Sequence, residues 1–188
     1  MAGILVTISN LSKLVGALYP LFIVSFLVLA SVFNLKLTGV VYLGGIVATI
    51  ILCYLFGMMG LVSERNPNAA LSCDLFSMAS HPYQGPSTQA AISWFTFVYL
   101  LWPMLPPMHP GGLINPMIIA TTLIFAMINS IFQYRNNCSN TSGIILGGVI
   151  GLLAGSGWFW LWYGSGYKDL LFYNELVSNN AICTRPSK

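Results

Sequence analysis

Gly143-Ile-Ile-Leu-Gly147-Gly148-Val-Ile-Gly151-Leu-Leu-Ala-Gly155 places four glycines one helical turn apart, at Gly143, Gly147, Gly151 and Gly155. The run continues into an aromatic block, Trp158-Phe-Trp-Leu-Trp-Tyr163. Four residues advance an α-helix by about 400°, so these glycines form a nearly straight seam without side chains. In water each would cost a helix roughly 1 kcal/mol relative to alanine. In a bilayer the backbone must hydrogen-bond to itself, and a bare seam lets a second helix come close and gain van der Waals contact. The stretch therefore predicts a membrane-spanning helix over 143–163 of glycine-zipper type, built to pack on another helix.

The composition around it agrees. The chain is 56% hydrophobic and 6% charged, whereas a soluble domain is about 25% charged. Charges are also absent from long intervals: between Lys13 and Lys36, Lys36 and Glu64, Asp74 and Arg135, and Arg135 and Lys168. Each interval can hold at least one span of about 20 residues. The expected fold is all-α, a polytopic transmembrane helical bundle of about five spans. A net charge of +3, scattered and without a basic stripe, gives no footprint for nucleic acid.

The first span is expected at about 14–33, after a short head that can lie along the interface. A rival reading makes the head a signal peptide cleaved after Val28-Leu-Ala30. The second is expected at about 37–62, with Gly44, Gly45, Ala48 and Thr49 as a small-residue patch and first-choice partner for the glycine seam. Only Asn34-Leu-Lys36 separates these two, which makes a tight helical hairpin. A polar connection follows, punctuated by Asn66-Pro67, His81-Pro82 and Gly85-Pro86. Within it Leu71, Leu75, Phe76 and Met78 suit an amphipathic turn. Ser87 or Thr88 then caps a short third span at about 89–105. Pro106-Pro-Met-His-Pro-Gly-Gly-Leu-Ile-Asn115 cannot be regular helix. Asn115 and Pro116 form an N-cap and first-position pair that opens the fourth span, about 116–134. The spacing makes Ser142 the cap of the fifth span. Four spans result instead if the third and fourth form a re-entrant pair. Residues 164–188 form a polar and amphipathic C-terminal tail.

With five spans the termini fall on opposite sides. Lys13, Arg65 and Arg135 on one side outnumber Lys36 and Lys168 on the other, which by the positive-inside rule puts the head in the cytoplasm. Asn10, Asn137 and Asn140 stand in N-x-S sequons on that same side and pull the other way if glycosylated.

The expected spans contain no Asp, Glu, Lys, Arg or His. Such residues mark proton relays and ion sites inside membranes, so coupled transport and intramembrane acid–base catalysis are disfavoured. Asp74 and His81 share one connection and can pair, but solvated loop residues are the plainer reading. His109 falls on the opposite side from His81, so no shared metal is expected. There is no phosphate loop, HExxH or GxSxG, and no cofactor is implied. Cys53, Cys73, Cys138 and Cys183 lack zinc spacing. Cys53 reads as a small hydrophobe within a span. Cys73 and Cys138 share a side and can pair if it is oxidising; free thiols are the plainer reading. The glycine seam can serve packing within the chain, self-association or, less readily, a pore. Trp158, Trp160 and Trp162 alternate between helix faces and, with Tyr163, suit an interfacial anchor.

The tail, Leu171-Phe-Tyr-Asn-Glu175-Leu-Val-Ser-Asn179-Asn180-Ala-Ile-Cys183-Thr-Arg185-Pro186-Ser187-Lys188, resembles that of multi-spanning membrane proteins of large icosahedral DNA viruses, the algal-virus type especially. The resemblance implies a virion component in the lipid membrane beneath the capsid, tying bilayer to shell, with no catalytic residues. The natural chain is then expected to extend past Lys188. From the sequence we expect a structural integral membrane protein, not an enzyme. Its expected partners are the lipid bilayer, the capsid or other membrane proteins, with self-association as a further option. The alternative is a small transporter or channel subunit.

Overall fold

Ser87 opens the helix around which the others assemble. Its side chain accepts the Ala90 amide at 3.3 Å, starting α3 (Thr88–Leu101). A 3-10 turn, Trp102–Met104, continues it and contains Pro103, which lacks an amide proton. The computed structural model describes residues 8–60, 86–105 and 115–172, with side chains from residue 18 onward. Among these, the other helices are α1 (Ile8–Phe33), α2 (Thr38–Met58), α4 (Pro116–Arg135) and α5 (Thr141–Gly164), with a second 3-10 turn at Lys168–Leu170. The described residues contain no strand.

α3 sits at the centre. α5 packs on it most extensively, then α4 and α2, while α1 touches it lightly. Around it α1 adjoins α2, α2 adjoins α5, and α4 adjoins α1; α4 and α5 touch least. Residue pairings give the directions. Gly151 lies on Ala91 and Gly155 on Phe95, one turn further on both helices, so α3 and α5 run parallel. Hydrogen bonds from Gln133 to Gln89 and from Asn129 to Ser93 step in opposite senses, so α4 is antiparallel to α3.

The distribution of side chains is the reverse of a soluble protein's. Phe22, Phe26, Phe33, Val40, Leu55, Ile124, Ile145 and Leu153 point outward, while Thr49, Gln89, Ser93, Thr96, Asn129 and Gln133 are buried. A water-soluble fold buries its large apolar residues; this arrangement suits hydrocarbon outside and internally satisfied polar groups within. α2, α4 and α5 are long and apolar enough to cross a membrane, and the described apolar part of α1 is Leu18–Phe33. α3 with its 3-10 turn spans roughly 27 Å, close to a hydrocarbon core of about 30 Å.

Several boundaries differ from the sequence reading. α1 begins at Ile8, so Lys13 lies inside a helix. No breaker separates Ile8 from Leu14, and extending a formed helix costs little. Pro20 is accommodated within α1, as membrane helices allow. α2 stops at Met58 instead of Val62, where Gly60 takes a left-handed φ of 68°. α5 is capped at Asn140, two residues before Ser142. Asn115 behaves as its pairing with Pro116 predicts, accepting the Met117 and Ile118 amides at 3.1 and 3.4 Å. Beyond α5, Leu171 and Phe172, in the part of the chain read from sequence as a polar and amphipathic tail, fold back into the core beside Tyr42 and Tyr99. Asp74, His81, His109, Cys73, Cys183, the stretch Leu71–Met78 and the tail beyond Phe172 lie outside the described residues.

Candidate functional site

Two seams of different chemistry meet on α3. The first is the glycine row. Gly143, Gly147, Gly151 and Gly155 are buried, and Phe159 continues their line one turn further. The Gly143 carbonyl accepts the Ser87 amide at 2.9 Å, a backbone bond between two helices. A Cβ on Gly147 would run into the Ser87 carbonyl, and one on Gly151 into that of Ala91. At Gly155 a Cβ would come within 2.8 Å of the Phe95 carbonyl and 2.5 Å of a Val98 methyl. These obstacles are largely main-chain atoms, which cannot rotate away. The expected partner, the small-residue face of the second span, is therefore replaced by α3. Its Ser87 and Ala91 are also small and lie one turn apart, which brings the two backbones together. Gly45 instead receives the Trp158 indole, which would lie 2.7 Å from an added Cβ, and Gly44 lies beside the same ring.

The second seam is a ladder of uncharged polar side chains between α3 and α4. Gln133 donates to the Gln89 side chain. One turn along, Asn129 Nδ2 donates to Ser93 Oγ at 2.9 Å, and Ser93 in turn donates to the Gln89 carbonyl at 2.9 Å. The Trp94 indole N–H reaches Ser130 Oγ at 3.3 Å. On the opposite side of α3, Thr96 donates to the Ile92 carbonyl and so accepts from Tyr42, at 2.6 Å. Inside a membrane such bonds contribute about 0.6 kcal/mol each on average, because the alternative state also finds partners. Their directionality sets the register between helices. Asn129 Oδ1 is buried without a partner, as is the Tyr99 hydroxyl.

An aromatic cluster closes the end of the bundle where α3 and α5 finish. Phe95 stacks on Tyr99 with centroids 5.6 Å apart, and Tyr99 meets Phe159 and Phe172 edge-on. The anchor candidates divide by environment. Trp158 turns into the bundle and donates to the Val41 carbonyl at 2.9 Å. Trp160 is exposed, while Trp162 and Tyr163 are half-buried. Lys168 lies 4.7 Å above the Tyr163 ring, a cation–π contact at the helix end.

Sequence reasoning missed the ladder because it searched the spans for ionisable groups. The signal was present as Gln89, Ser93 and Thr96 at helical spacing, opposite Asn129 and Gln133 one turn apart. Cys53 is a buried free thiol, whereas Cys138 is disulfide-bonded, correcting the plainer reading of a free thiol at that position. Among the described residues no group of three or more His, Cys, Asp or Glu gathers. Amides, hydroxyls and indoles can fix helix positions by hydrogen bonding; none of those in the seams exchanges a proton readily near neutral pH. Comparison with protein-family models, with curated proteins and with solved structures gives no match.

Proposed function

We propose that this chain is a structural integral membrane protein, a helical scaffold or anchor rather than a conduit. The observation that carries the reading is the enclosure of α3. Its small face is closed against α5 and its polar face is tied to α4, so its hydrogen-bonding side chains serve neighbouring helices. In this reading the glycine row is a packing zipper within the chain. The tail's resemblance suggests the setting: the internal membrane of a large icosahedral DNA virus, with capsid or other membrane proteins as partners. In purified particles the protein should then occur in a fixed ratio to the shell protein. Trace or variable amounts would remove the virion setting. The scaffold reading has a separate test in liposomes containing the pure chain. Solute flux no greater than in empty liposomes is expected. Reproducible flux abolished by Gly151→Leu would establish the alternative, a small transporter or channel subunit.

A further inference from the structure

We propose that the turn between α4 and α5 faces an oxidising, non-cytosolic compartment, and that the α1–α2 turn faces the cytosol. Cys138 sits in that turn, buried, with its amide bonded to the Gln133 carbonyl at 3.0 Å, and it is disulfide-bonded. Joining two thiols releases two protons and two electrons. A small disulfide or a disulfide-exchange protein on that side accepts them and becomes two thiols. Such oxidants persist outside the cytosol, where structural disulfides are found. The basic residues near the helix ends weigh only slightly against this. Lys36 and Lys168 lie at one end of the bundle and Lys13 and Arg135 at the other, where the sequence reading also counts Arg65. That margin of one charge is small beside a disulfide. On this proposal the head is non-cytosolic, opposite to the lean of the sequence reading.

The end of α2 and the start of α3 both lie at the Cys138 end, as Cys53, Ala91 and Ile150 share one cluster and Ser87 bonds Gly143. The α1–α2 turn is therefore at the opposite end from Cys138. Cys53 is free and takes no part in the bond. The test uses sealed vesicles with the cytosolic face outward, from cells expressing the full chain, and a membrane-impermeant PEG-maleimide. Leu35 in the α1–α2 turn is 95% exposed, so L35C reports that end with all native cysteines kept. L35C should gain one adduct in intact vesicles. After denaturation, two further cysteines should react only once a reductant is added, and Cys138→Ser should abolish that difference. Protection of L35C until detergent is added, or reaction of Cys138 before reduction, would each overturn the proposal.

Discussion

At Gly151 an added methyl meets the carbonyl carbon and oxygen of Ala91, which only a shift of the whole helix can relieve. Gly151→Ala should therefore destabilise the bundle by about 1–3 kcal/mol, the usual cost of overpacking. Gly157, in the same helix, has nothing within 4 Å of an added Cβ. Gly157→Ala should be neutral or stabilising by up to about 1 kcal/mol. Unfolding in mixed micelles with increasing SDS measures both, and equal effects would show that the row has no special contact. Asn129 and Ser93 permit a double-mutant cycle with Asn129→Ala and Ser93→Ala. A coupling of about 0.5–1.5 kcal/mol is expected, near the range known for hydrogen bonds between membrane helices. Zero coupling would mean that the ladder contributes shape alone.

Ser31 governs the junction of α1 and α2. It donates to the Lys36 carbonyl, accepts the Gly39 amide at 2.7 Å and lies 2.9 Å from the Thr38 hydroxyl. Ser31→Ala orphans a buried amide and should cost about 1–3 kcal/mol, seen as a lower SDS midpoint. Alanine is the cleaner substitution, because Ser31→Val would also add bulk against Gly39, where the space for a Cβ is already filled by the Ser31 Cβ. At this scale much was legible. The Asn115-Pro116 start, the Ser87 cap and the short α1–α2 hairpin all follow from local chemistry that acts within one turn. The extent of α1 and the early start of α5 did not follow, because several polar residues near a helix end could each serve as its boundary. The partner of the glycine row was also out of reach. Both α2 and α3 offer small residues at helical spacing, and only the three-dimensional arrangement shows that α2 uses its glycines to seat Trp158.

For the molecule as a whole, enclosure makes α3 the element least accessible to solvent and lipid. In nanodiscs its backbone amides should be the last to exchange with deuterated water, after those of α1 and α4. Exchange of α3 at the rate of α1 would mean that the bundle opens along the α3–α5 seam. The membrane character of the chain was legible because composition is a property of the whole sequence. The central place of α3 was not, since it is the shortest of the described α-helices and carries several polar side chains. Those side chains mark it as interior only when lipid, not water, is the surrounding solvent.

The parallel pairing of α3 with α5 has a consequence for how the protein is made. Two parallel helices must be separated in the chain by a return crossing, here α4, so their shared face cannot close while the ribosome is still producing residues before Thr141. During that interval Ser87 and Ala91 have no glycine row to meet, and the small face of α3 is unmatched. Assembly of the centre is thus deferred until α5 is synthesised, and nascent chains ending after Arg135 should leave α3 open to cross-linking that chains containing α5 resist.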